Sequence, residues 1–122
     1  MEREHEEAMR ADFRERTALQ LSGYQPGVTE DQIDQIYGKV RQIDDRWTAG
    51  PHASRWQYLS DAYDDFSDRP ETMDRFLDNI EFNRAQGWDG GLDEVQRRSL
   101  YQAKELTEPQ RVRPRGRVQR ER

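Results

Sequence analysis

The segment from Thr29 to Trp47, TEDQIDQIYGKVRQIDDRW, admits one backbone reading and so constrains the rest of the chain. Ile33, Ile36, Tyr37, Val40, Ile43 and Trp47 recur at three- and four-residue steps and share one stripe at the helical period, while Asp31, Asp34, Arg41, Gln42 and Asp45 point elsewhere. Thr29 stands just before the stripe with Gln32 three residues on, a capping box in which each side chain takes up a backbone N–H at the helix start. Such a helix has to bury its stripe, and the remaining sequence must supply what covers it.

Further stripes follow. Trp56, Leu59, Tyr63 and Phe66 define a second helix with Asp61, Asp64, Asp65 and Asp68 on its other face. Ser67 or Asp68 can cap a third, with Pro70 and Glu71 in its first turn, Met73, Phe76, Leu77 and Ile80 as its buried side and Gly87 as its C′ residue. Trp88-Asp89-Gly90-Gly91 reads as a tight connection that folds Trp88 back onto the core. Asp93 with Gln96 opens another helix, carrying Val95, Ser99, Ala103 and Leu106 on one face and ended by Pro109.

Residues 2–21 have high helix propensity and pairs at one-turn spacing, Glu6 with Arg10 and Asp12 with Arg16, but their apolar face is thin: Met9 and Phe13 are followed by Arg16 and Gln20. Ser22 and Gly23 end this helix, and Tyr24-Gln25-Pro26-Gly27 forms a turn. The expected fold is all-α, a small bundle or irregular array of four to five helices. Its core helices lie at about 29–48, 54–67, 69–86 and 92–107. Residues 1–23 form a peripheral charged helix, 24–108 the helical core and 109–122 an Arg-rich disordered tail.

Composition sets the limits. A chain of 122 residues holds one hydrophobic core, and with Leu, Ile, Val and Phe numbering 20 that core is small, so a partner or a second copy covering more apolar surface is expected. The absence of cysteine removes disulfides, thiolate metal sites and cysteine nucleophiles, and points to the cytoplasm. The charged start, MEREHEEAMRADFRER, does not resemble a signal peptide, and no stretch has the length of a membrane span, so a soluble protein without membrane contact is expected. The net charge of −5 divides unevenly: residues 109–122 carry +5 and residues 1–108 carry −10.

Catalytic motifs are absent, and the chain is read as a non-enzyme with no metal and no cofactor. His5 and His52 lie in distant segments and read as separate polar surface residues; the turn at Gly87, Gly90 and Gly91 lacks the spacing of a phosphate loop. Interaction surfaces are better represented. Phe82 points across its helix from the apolar stripe, and Tyr58 and Tyr101 are off-stripe aromatics of the same kind, so these three are the expected apolar contacts for a protein partner or a homodimer. Asp61, Asp64, Asp65, Asp68, Glu71, Asp74, Asp78 and Glu81 form the expected acidic surface. Arg111, Arg113, Arg115, Arg117, Arg120 and Arg122 suit nucleic acid or an acidic protein surface, bound in a salt-sensitive manner. The expected function is a helical adaptor or accessory protein whose Arg-rich tail adds an electrostatic contact. The alternative is an inhibitor of counter-defence type, whose acidic face imitates nucleic acid in the groove of a nucleic-acid-processing enzyme.

Overall fold

Local sequence signals place two of the five helix starts through capping boxes, those at Thr29 and Asp93. The computed structural model describes residues 1–88 and 90–120, with side chains only as far as Gln110. Among the described residues the secondary structure is wholly helical: α1 (Arg3–Ser22), α2 (Glu30–Thr48), α3 (Ala53–Asp68), α4 (Pro70–Ala85) and α5 (Glu94–Arg120). The Thr29 box forms, with Gln32 N–H donating to Thr29 Oγ1 at 3.2 Å and Thr29 N–H to Gln32 Oε1 at 2.9 Å. The Asp93 box closes in the same way, at 2.8 and 3.0 Å. Ser67 and Asp68 do not cap α4, because α3 runs through both; Arg69 occupies the N-cap without a side-chain bond, and Pro70 at the first position has no N–H needing one.

The chain forms two compact units, Met1–Trp56 and Gln57–Arg122. In the first, α1 and α2 run antiparallel: Arg46 reaches Asp12, Arg16 reaches Asp44, and Gly23 lies over Ile36. The turn between them carries Pro26 and then Gly27 at φ 85°, with Val28 N–H donating to Gln25 O at 3.4 Å. That geometry needs a fixed φ at the first central residue and a left-handed one at the second, which proline and glycine provide.

The expectation of a peripheral, loosely docked α1 is corrected. Met9 and Phe13 are fully buried together with Thr17, and Phe13 meets the Trp56 ring edge-on at 5.3 Å between centroids. The thin apolar face suffices because two indoles come to meet it. Trp47 and Trp56 stack at 5.7 Å with an interplanar angle of 7°. Their N–H groups donate to carboxylates, Trp47 Nε1 to Asp12 Oδ2 at 2.7 Å and Trp56 Nε1 to Asp44 Oδ1 at 3.1 Å. The one-turn pair expected between Asp12 and Arg16 is replaced by these longer-range contacts, whereas Glu6 and Arg10 do pair.

The second unit packs Ala62 and Phe66 of α3, Met73, Leu77 and Ile80 of α4, and Leu100 and Ala103 of α5. α4 and α5 are antiparallel, fixed by Arg84 to Glu94 at 2.6 Å, Arg97 to Glu81 at 2.8 Å and Lys104 to Asp74 at 3.3 Å. α4 ends in a Schellman motif: Gly87, at φ 85°, donates to Arg84 O at 3.0 Å and Trp88 N–H to Asn83 O at 2.8 Å. Pro109 does not end α5. Gln110 is still helical and donates from Nε2 to Tyr63 Oη at 2.8 Å, tying this turn to α3.

Phe13→Ala is expected to cost about 3–5 kcal/mol, the range for emptying a fully buried phenylalanine site. Urea denaturation of the full chain checks this; a loss under about 1 kcal/mol would contradict a load on α1 and restore the loosely docked helix.

Candidate interaction surface

The outer edge of α4 and α5 gathers the functional candidates of the second unit. Glu81 is the centre of the edge: it accepts from Arg97 Nε at 2.8 Å and Nη2 at 3.1 Å, a bidentate pair, and from Tyr101 Oη at 2.8 Å. Arg97 also lies 5.3 Å from the centre of the Tyr101 ring. The hydrogen bonds from Arg97 and Tyr101 hold the Glu81 carboxyl below the usual glutamate range. Partial burial, followed by the bond to Glu81, pushes the Tyr101 hydroxyl up, and the bond to Glu81 keeps Arg97 firmly protonated.

Beside this lattice stand the exposed aromatics. Phe82, the residue after Glu81, is 61% exposed. Trp88 is 59% exposed, against the expectation that it folds onto the core. The Schellman bond sets the Trp88 backbone against Asn83, one residue from Phe82, and from there the indole turns to solvent. Phe76, expected on the buried side of α4, is also exposed, since it lies at the margin of the stripe formed by Met73, Leu77 and Ile80. Tyr101 is partly exposed while its hydroxyl is tied to Glu81. Tyr58 differs: it is half-buried against the core cluster of its unit, and burial, then the charge of Asp93, raises its hydroxyl pKa. It flanks the core and is a poor anchor.

The acidic residues separate into two groups. Asp61, Asp64, Asp68, Glu71 and Asp78 are exposed, with Asp61 accepting from Gln57 at 2.9 Å. Asp65, Asp74 and Glu81 are half-buried and ion-paired with Arg69, Lys104 and Arg97. The side chains of Arg111, Arg113, Arg115, Arg117 and Arg120, and all of Arg122, lie outside the described residues, and so do the contacts expected of them.

The two histidines meet, although the sequence reading keeps them apart. The antiparallel course of α1 and α2 carries the start of α1 to the loop after α2, where the His5 and His52 rings sit 5.0 Å apart at 40°. Glu2 lies 3.8 Å from His5 Nδ1. Among the described residues no group of three His, Asp or Glu is arranged to hold a metal ion, and no helix is long and apolar enough to cross a membrane.

Comparison with protein-family models, with curated proteins and with solved structures finds no match for this chain.

The lowered pKa of Glu81 gives a pH dependence with a definite sign. The folded state favours the ionised carboxylate, so its stabilisation is complete above the unfolded value of about 4.3 and is lost as the pH falls through the lower folded value. Glu81→Gln should therefore lower Tm at neutral pH, and the gap from wild type should close below about pH 4. Thermal melts followed by circular dichroism across this range test it; a gap independent of pH would contradict the assignment.

Proposed function

We propose that this chain is a non-enzymatic adaptor that holds a protein partner on the aromatic edge at the end of α4. Its Arg-rich tail, Arg111 to Arg122, adds a salt-sensitive contact to nucleic acid or to an acidic surface of the partner. The observation that carries this reading is the pair of large aromatics, Phe82 and Trp88, exposed within one helix end and its cap. The unit keeps Met73, Leu77 and Ile80 for its own core, so these two rings add little to folding and remain free as anchors. The Glu81, Arg97 and Tyr101 lattice stiffens the backbone beneath Phe82 and provides a polar rim beside it.

The inhibitor reading draws on the exposed acids Asp61, Asp64, Asp68, Glu71 and Asp78. It loses ground because Asp65, Asp74 and Glu81 are already neutralised by basic side chains of the same unit.

The two readings predict opposite outcomes when the tagged full chain captures its partner from a lysate of its host. For the adaptor, Phe82→Ala and Trp88→Ala each weaken capture at least about tenfold while stability stays within about 0.5 kcal/mol of wild type. Removal of residues 109–122 leaves capture in place but abolishes its salt sensitivity. Capture that survives both aromatic substitutions and fails on charge reversal at Asp64 and Asp78 would overturn the adaptor in favour of the inhibitor.

A further inference from the structure

The apolar stripe of α2 is covered along only part of its length. Val40, Ile43 and Trp47 are buried, whereas Ile33 and Ile36 are half-buried and Tyr37 is 53% exposed. The register of the hairpin explains the difference. Opposite this end of α2 the first helix ends in Gln20 and Gly23, and the nearest side-chain atom to a Cβ placed on Gly23 would be Ile36 Cδ1 at 3.9 Å. A cleft of about 290 Å³ opens along the stripe, lined by Gln20, Gly23, Tyr24, Ile33, Ile36 and Tyr37, with the Tyr24 ring 81% exposed at its lip.

We infer that this cleft is the docking site of a second copy of the chain, the two α2 helices crossing antiparallel about a two-fold axis at Tyr37. A two-fold interface has to be self-complementary, so that whatever stands one turn before the axis must suit what stands one turn after it on the same flank. α2 meets that demand. On its exposed flank Asp34 precedes the axis and Arg41 follows it. Crossing two copies sets Asp34 of one beside Arg41 of the other, a contact that occurs twice, with the two Tyr37 rings between the pairs. Asp34 and Arg41 are exposed and have no ion-pair partner among the described residues, whereas Asp12, Asp44, Arg16 and Arg46 of the same hairpin are all paired. The charges also argue against other occupants, since a uniformly acidic or basic surface would set one of the two against its like. The interface is separate from the aromatic edge of the second unit and does not depend on its role.

A charge-swap series on the full chain tests the inference by sedimentation velocity across a range of concentrations. The wild type should dimerise. Asp34→Arg alone and Arg41→Asp alone each juxtapose like charges at both symmetry-related positions and should weaken the dimer at least about tenfold, with helical circular dichroism unchanged. An equimolar mixture of the two variants restores opposite charges at both positions and should recover dimers as heterodimers. Tyr37→Ala should also yield monomers. A wild type that stays monomeric at its highest soluble concentration would overturn the proposal; so would single variants that dimerise like wild type, or a dimer lost on Phe82→Ala but kept on Tyr37→Ala.

Discussion

Burying an indole brings an N–H inside, and in the first unit two of them have to be satisfied within a small core. Asp12 and Asp44 accept them, and each carboxylate is held in turn by an arginine, Arg46 and Arg16. An unpaired buried donor would cost about 1–3 kcal/mol and an unpaired buried carboxylate more, so the four polar groups must be satisfied together. They also lie on different helices: satisfying Trp47 draws in Asp12 of α1, and satisfying Trp56 draws in Asp44 of α2. The register of the hairpin follows from that requirement. So does the burial of Met9 and Phe13, which by themselves are too little apolar surface to hold a helix of α1's length.

The same register leaves the other end of the hairpin open. Once Asp12 stands opposite Arg46 and Trp47, the antiparallel course places Gly23 over Ile36, and the stripe from Ile33 to Tyr37 is left with partial cover. A stripe written continuously along α2 is thus used in two ways, for the core at its C-terminal half and for an outside surface at its N-terminal half.

In the second unit, charge takes the place of area. Asp74, Glu81 and Arg84 of α4 meet Lys104, Arg97 and Glu94 of α5, and the apolar contacts lie between these pairs. Because the pairs occupy the edge, the ring that follows Glu81 has no helix to cover it, and Phe82 remains in solvent beside a polar rim. The acidic character of the unit is correspondingly less than its composition implies, since the carboxylates nearest α5 are matched within the unit.

Helix positions apart from the end of α5, the capping boxes at Thr29 and Asp93, the Pro26-Gly27 turn and the Gly87 helix end were legible from the amino-acid sequence alone. Each depends on interactions between residues no more than about four apart, which the sequence carries directly. Phe82 was recognisable in the same way, by its direction relative to its own helix. The fates of Tyr58, Phe76 and Trp88, the partners of Asp12 and Arg16, and the meeting of His5 with His52 were settled only by tertiary structure. Helical periodicity says which side chains share a face, but how far a neighbouring helix extends over that face depends on registers set by contacts between residues some thirty apart, such as Arg16 with Asp44.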